Sequence, residues 1–268
     1  MFKGRYKISN NIALIGSGCA LPRDVILNFR WNENYNLEDV ELGIRLSLSN
    51  HNIVLTDGIL ELEVPSSYEA FKIQQYRWSN GAGQLIRGYL GKIWSSTLKL
   101  ARKIDHTLYI LQYASPLAHS IINILGVLIL SLGIALQVFN MLIVGLLLVT
   151  LLYTMCYIDH CKAEGMVVTR AFRVLGRTGG VLSTMSFDLA YSYLLGLTGK
   201  RCVWKVTPKG RFWRSSFKAL RGEYMYLIVC LLGVMFALLR FSHYALLWYI
   251  LQTLPIAYTF MNIAKGRM

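Results

Sequence analysis

Residues 111–158 carry no lysine or arginine, and they hold two apolar runs, 117–139 and 141–158, split at Asn140. A helix needs about 20 apolar residues to cross the roughly 30 Å hydrocarbon core of a bilayer, and both runs approach that length. A single buried helix of a soluble protein is excluded, because nothing of soluble type could cover it. The pair therefore reads as a transmembrane hairpin, with His119 at the interface near one end. Two further apolar runs, 224–240 and 244–262, predict a second hairpin. Apolar residues make up 54% of the chain and its mean hydropathy is +0.43. Because these residues are clustered, the chain is expected to be a membrane protein with a polar part.

The net charge of +14 is also uneven. Residues 1–110 hold 13 Lys/Arg against 10 Asp/Glu, close to balance, whereas 159–222 hold 12 against only Asp159, Glu164 and Asp188. A basic segment between hydrophobic blocks is the pattern of a cytoplasmic region facing anionic lipid. With four crossings, the N-terminal part, residues 159–222 and the tail bearing Lys265 and Arg267 all fall on the cytoplasmic side, in the plasma membrane. No nucleic-acid motif accompanies the charge, so nucleic acid is not an expected partner. The five cysteines (19, 156, 161, 202 and 230) lack CxxC spacing and read as free, mostly buried thiols. Cys156, His160 and Cys161 straddle a helix end without a fourth ligand nearby, so no metal site is expected there. No apolar run follows Met1–Lys7, so no signal peptide is visible.

Ahead of the first hairpin, residues 1–65 read as the end of an α/β domain. A short apolar strand from Asn11 leads into Gly16-Ser17-Gly18, whose glycines allow a backbone to approach a ligand. Pro22, Arg23 and Asp24 open a short helix. Asn36 is a plausible N-cap for a helix whose first turns hold Glu38, Asp39 and Glu41. Acids there suit the helix dipole, and one of them would also suit a general base. Residues 53–64 look like strand, turn, strand. Ser66 and Glu69 have capping-box spacing, so a helix should start just after Pro65. On it Gln74, Arg77 and Trp78 sit at i, i+3 and i+4 and share a face. Arg offers a fixed fork of donors to phosphate, and Trp offers a plate for a sugar ring. The face suits a nucleotide-sugar enzyme; it equally suits an amphipathic helix that buries one Trp.

Residues 85–110 and 161–180 mix apolar and basic positions and read as helices on the membrane surface. The apolar stretch 181–198, with Asp188, is taken as interfacial rather than crossing. Residues 200–221 read as a loop around Pro208 and Gly210. Its Lys205, Lys209 and Arg211 could meet a diphosphate under Trp204, or lipid headgroups.

With these residues in view, the chain resembles the membrane-embedded family 2 glycosyltransferases, the cellulose, hyaluronan and mannan synthases and their relatives. Gly16-Ser17-Gly18-Cys19-Ala20-Leu21 looks like the stretch that shapes the acceptor site. Glu38-Asp39 looks like the Thr-Glu-Asp motif, with Leu37 in place of Thr. Gln74, Arg77 and Trp78 match Gln-x-x-Arg-Trp. Trp204, Val206, Thr207 and Lys209 look like the gating loop Phe-x-Val-Thr-x-Lys, with Trp for Phe.

The resemblance implies an inverting transfer from a nucleotide-sugar donor to a glycan or lipid acceptor. Asp39 would be the base and Glu38 would support it. Trp78 would stack on the acceptor, Arg77 and Gln74 would hold the diphosphate, and loop 204–209 would close over the nucleotide. It implies a GT-A-like α/β remnant over 1–84 and an interface helix over 85–112. A transmembrane hairpin over 113–158, interface helices with the gating loop over 159–222 and a second hairpin over 223–268 complete it. A divalent metal, Mg or Mn, is implied for the complete enzyme on an Asp-x-Asp that this chain lacks. The chain is thus expected to be a C-terminal half, inactive alone, with an N-terminal partner half. Transfer to a growing polysaccharide is the leading expectation. Single transfer to a lipid and a non-catalytic scaffold or export subunit are the alternatives.

Overall fold

The computed structural model describes residues 2–56, 58, 60–203 and 220–264. Every regular element among them is a helix: α1 (Phe2–Ser9), α2 (Arg23–Phe29), α3 (Glu38–Leu48), α4 (Tyr68–Ser95), α5 (Leu100–Leu111), α6 (Ala114–Leu132), α7 (Leu136–Ala163), α8 (Val168–Thr184), α9 (Ser186–Leu197), α10 (Arg221–Leu239) and α11 (His243–Ala264). No strand occurs among the described residues, which overturns the expected α/β remnant. The physical reason lies in what the two apolar stretches find as partners. Leu14 is buried against Leu42 and Leu46 of α3 rather than against a neighbouring strand. Gly43 admits this contact, since a Cβ there would lie 3.0 Å from the Leu14 nitrogen. The Ile53 N–H donates to the Asn11 side-chain oxygen at 3.2 Å, so a side chain takes the bond that a ladder would have made. Val54, Leu60, Leu62 and Val64 remain exposed.

The chain divides into two compact units. The first comprises Met1–Ser66, Ala70–Ser115 and Leu189–Trp213. Here α4 is the central helix, and its glycines decide what can touch it. A Cβ on Gly81 would meet the backbone at Asn36 and Leu37, and one on Gly83 would overlap the Tyr193 carbonyl of α9. A Cβ on Gly196 of α9 would in turn overlap the Asn80 carbonyl. Two helices thus cross at backbone distance because neither carries a side chain there. Ser79 Oγ donates to the Leu189 carbonyl (2.7 Å) and Ser192 Oγ to the Tyr76 carbonyl (2.6 Å), which fastens the crossing.

A buried polar cluster holds α1, α3 and α5 around residue 11. Asn11 Nδ2 donates to His106 Nε2 (3.3 Å), and the Ser47 hydroxyl lies 2.9 Å from the same nitrogen. Arg5 grips Asp105 through two donors at 2.7 and 2.9 Å and lies over the Tyr109 ring at 4.5 Å. The opposite face of α5 exposes Leu100, Ile104 and Leu108, an apolar row at a spacing of four.

The second unit comprises Ser67–Glu69, Pro116–Asp188 and Arg214–Met268. Among the described residues, four helices are long and apolar enough to cross a membrane, and this unit holds them: α6 (but for its first two residues), α7, α10 and α11. The first hairpin breaks at 133–135, not at Asn140. Gly133 and Ala135 adopt positive φ (69° and 49°), and the Arg240 guanidinium donates to the Leu130 and Ser131 carbonyls at 3.0 and 2.8 Å. That cation satisfies carbonyls left open at the end of α6. Asn140 instead lies inside α7 and accepts a 2.7 Å bond from the Ser242 hydroxyl. A polar residue in an apolar run serves a helix contact and not a turn. Tyr249 of α11 lies against Gly126 of α6 and Gly233 of α10, and its hydroxyl donates to the Asn123 carbonyl at 2.8 Å. His119, expected at the interface, is bonded to the Tyr226 hydroxyl at 2.6 Å. Cys156 is exposed on α7, so the mostly buried thiols expected from the sequence reduce to Cys161 and Cys230, with Cys202 half-buried.

Replacing Gly83 or Gly196 by valine is expected to cost at least about 1–3 kcal/mol through overpacking. At Gly91 an added Cβ would meet nothing within 4 Å, so alanine there should be neutral or gain up to about 1 kcal/mol. Thermal aggregation midpoints in detergent, read by size exclusion, distinguish the two outcomes. A second expectation concerns His106, whose pKa burial lowers from 6.5 to about 4. Burial keeps the folded imidazole neutral over this range. As pH falls below 6.5 the unfolded chain takes up a proton that the folded chain refuses until about 4, so stability falls across that window by at most about 3 kcal/mol. A His106→Asn variant should lose this part of the slope; identical midpoint-against-pH curves would refute the assignment.

Candidate functional site

The structure joins two of the sequence motifs directly. The Gly16 N–H donates to Asp39 Oδ2 at 2.6 Å, and the Val40 N–H donates to Asp39 Oδ1 at 2.8 Å. Asp39 therefore sits in the first turn of α3 with each oxygen held by one backbone donor, half-buried, beside an exposed Gly16-Ser17-Gly18 turn. The glycine at 16 matters here, because a Cβ would lie 3.2 Å from Asp39 Oδ2. Gly18 takes φ +73°, a left-handed value that favours glycine. Glu38, also half-buried, precedes Asp39 on α3. Tyr109 lies within the electrostatic field of Asp39. Burial raises its pKa first and the Asp39 charge adds to this, while Arg5 opposes both.

A cleft of about 640 Å³ opens beside the glycine turn. Ser17 and Gly18 line it together with Leu14, Leu21, Val25, Ile53, Leu55 and Leu60. Its walls are mostly aliphatic, with Ser17, His51, Asn52 and Thr56 as polar members.

Gln74, Arg77 and Trp78 lie half-buried on α4, as i, i+3 and i+4 require. Gln75, the neighbour of Gln74, accepts a 2.6 Å bond from the Tyr113 hydroxyl, whose pKa burial raises. Trp204, Val206, Thr207 and Lys209 lie outside the described residues, as do Lys205 and Arg211.

Three features escaped the sequence reading. Asn36 is not the N-cap of α3; that position falls to Leu37, which makes no side-chain cap bond. Asn36 is instead buried, with Nδ2 donating to Asn80 Oδ1 (2.7 Å) and Cys202 Sγ (3.1 Å) and its N–H donating to Gln84 Oε1 (2.9 Å). Glu41 is fully buried and accepts from Arg45 Nε (2.9 Å), Asn32 Nδ2 (3.2 Å) and the Tyr89 hydroxyl. Burial and this carboxylate raise the pKa of Tyr89. The available signal was Ser79-Asn80-Gly81-Ala82-Gly83-Gln84 in mid-helix. Asn and Gly cost helix stability, so two glycines and an asparagine within five residues point to close packing.

Among the described residues no three His, Cys, Asp or Glu side chains come together in a way that could hold a metal ion. Glu41 is already engaged by three side chains, and Asp39 belongs to no potential metal-holding group among the described residues. The divalent metal implied by the resemblance has no fitting donor set here.

Comparison with known proteins agrees with this reading at the level of family. The family model described as glycosyl transferase family group 2 matches residues 4–157. A probable glycosyltransferase of Sulfolobus acidocaldarius is 26% identical over 236 residues, covering 87% of this chain and 49% of that protein. Glucomannan 4-beta-mannosyltransferase 1 of Oryza sativa subsp. japonica is 36% identical over 80 residues, 30% of this chain and 15% of that protein. Glucomannan 4-beta-mannosyltransferase 7 of Arabidopsis thaliana is 33% identical over 64 residues, 24% of this chain and 12% of that protein. No solved structure matches. The chain thus spans about half the length of the Sulfolobus relative and less of the plant ones. On the family match across more than half of its residues, this chain belongs to glycosyl transferase family group 2.

Proposed function

We infer that this chain is the acceptor-binding and membrane part of an inverting glycosyltransferase that uses a nucleotide-sugar. The observation that carries the reading is the 2.6 Å bond between Gly16 and Asp39, because two motifs separated by 23 residues meet at one carboxylate. In the reaction, an acceptor hydroxyl gives its proton to Asp39 as its oxygen attacks the anomeric carbon. The bond from that carbon to the diphosphate breaks on the opposite face, and the electron pair leaves with the nucleoside diphosphate. Arg77 and Gln74 bind the diphosphate, and the guanidinium stabilises the charge that grows on it. Trp78 stacks on the acceptor sugar. Gly16, Ser17 and Gly18 shape the acceptor's approach, and Glu38 supports Asp39. The remaining half of the enzyme supplies the nucleotide and metal site, and this chain alone is inactive.

Four helices of spanning length and the basic 159–222 segment support a multi-pass protein of the plasma membrane with its site on the cytoplasmic side. The exposed apolar row of α5 supports a surface helix beside the bilayer. Mannosyltransferase relatives favour a polysaccharide product. The aliphatic cleft beside Ser17 favours a second reading, single transfer to a lipid acceptor, since hydrocarbon fits such walls better than a sugar does.

The test is transfer of radiolabelled sugar from UDP-glucose, UDP-GlcNAc and GDP-mannose by membranes. One sample holds the chain alone, and one holds it with a polypeptide equivalent to the unmatched half of the Sulfolobus relative. Transfer is expected only in the second, and Asp39→Asn should reduce it by at least about 10²-fold. A long polymer supports the first reading, and a single sugar extracted into organic solvent supports the lipid one. Full activity in the Asp39→Asn sample would remove Asp39 as base, and no transfer from any donor would set the enzymatic reading aside.

A further inference from the structure

Asn80 stands at the meeting point of three segments that the chemistry needs in register. Its Oδ1 accepts from Asn36 Nδ2 (2.7 Å) and from the Cys202 N–H (3.2 Å). Its Nδ2 donates to the Ser192 and Lys200 carbonyls at 3.1 and 3.2 Å. One amide thus uses both of its donors and doubles its acceptor, at zero solvent exposure. Asn36 lies three residues before Asp39, and Asn80 lies on α4 three residues after Arg77 and two after Trp78. Lys200 and Cys202 follow α9; burial raises the Cys202 thiol pKa, and the Arg77 and Arg201 charges oppose that rise.

Stability alone does not account for this arrangement. The clasp leaves Asn36 Oδ1 buried without a hydrogen-bond partner among the described residues. An unpaired buried acceptor is a cost, borne beside the Cys202, Ser192 and Lys200 main-chain bonds that Asn80 makes. The glycines flanking the clasp carry a related cost, because Gly81 keeps α4 open to residues 36 and 37. What the cost secures is a fixed distance between the segment that enters α3 and the helix that bears Arg77.

We propose that Asn80 is a positioning residue that holds the start of α3, and with it Asp39, in register with the Gln74, Arg77 and Trp78 face of α4. The inference rests on the reading of Asp39 as base and of that face as the diphosphate site. Asn80 itself touches neither substrate. It acts through Asn36 on one side and through Lys200 and Cys202 on the other.

Cys202 reports on the clasp without any substrate. The full chain in detergent micelles is treated with iodoacetamide, and alkylation is followed peptide by peptide with buried Cys161 as the folding reference. Asn80→Ala and Asn36→Ala should each speed alkylation of Cys202 by about tenfold, with Cys161 unchanged. The double variant should be no faster than the faster single one, because both remove the same link. Ser79→Ala deletes a neighbouring bond between α4 and α9 without touching the clasp, and it should leave the Cys202 rate within about twofold of the parent. Hydrogen exchange of residues 37–42 should rise in the two Asn variants and not in Ser79→Ala. If Asn80→Ala also exposes Cys161, Asn36→Ala carries the test, since it leaves the Asn80 bonds to Ser192 and Lys200 in place. Equal effects of Ser79→Ala and Asn80→Ala would mean general loosening and would overturn the proposal, as would an unchanged Cys202 rate in Asn36→Ala. Failure of the glycosyl-transfer reading would appear separately, as absent sugar transfer with these differences intact.

Discussion

The first unit depends on backbone reaching backbone across α4. Gly81 and Gly83 are two residues apart, so they face different neighbours, and each admits a main chain where any Cβ would collide. Gly81 lets in the segment ahead of α3, and Gly83 lets in α9. Once the main chains are this close, short polar side chains can reach them, and Ser79, Asn80 and Gln84 do so. Longer neighbours such as Leu or Phe would hold the segments apart and strand the amides. Close approach comes first, and the hydrogen bonds depend on it.

The same logic operates in the four described helices of spanning length, where buried polar groups again pair with one another. Asn123 of α6 receives the Trp248 indole N–H at 3.1 Å and offers its carbonyl to Tyr249. Tyr226 of α10 meets His119 on one side and Gln252 of α11 at 2.9 Å on the other. Gly126 and Gly233 make room for the Tyr249 ring that these bonds orient. Such bonds and small residues set which faces of these helices meet.

These cases explain what could be read from the sequence. The four spanning runs and the helix starting after Pro65 were legible, because length and apolar content act locally. The turn at 133–135 was not, because Arg240 seals it from 105 residues beyond Ala135 in the chain. Asn140 misled for the matching reason: its partner Ser242 is equally remote. The strands predicted at 11–15 and 53–64 failed because β pattern becomes a strand only beside a second strand, and Leu14 found α3 instead. At the candidate site the exposed glycine turn and the helix carrying Gln74, Arg77 and Trp78 were legible as local geometry. Their support was not, since Asn36 and Asn80 take their roles only from a fold that brings 36, 80 and 202 together.

The acids of α3 illustrate how burial separates roles that sequence leaves equivalent. Glu38, Asp39 and Glu41 all sit in the first turn and all suit the dipole. Glu41 has no exposed surface, and its oxygens are engaged by Arg45, Asn32 and Tyr89. Arg45 in turn donates to the Phe29 and Arg30 carbonyls at 2.5 and 2.7 Å, so Glu41 ties α3 to the end of α2 and, through Tyr89, to α4. A carboxylate so occupied cannot receive a proton from an arriving hydroxyl without breaking the contacts that seat the helix. Asp39 is held only by two backbone donors, one per oxygen, which leaves a further lone pair on each. The Gly16 N–H holds its Oδ2, and Glu41 seats the helix that carries it. A base needs both qualities, a fixed place and a free lone pair, and of the two carboxylates whose bonds are defined only Asp39 has them.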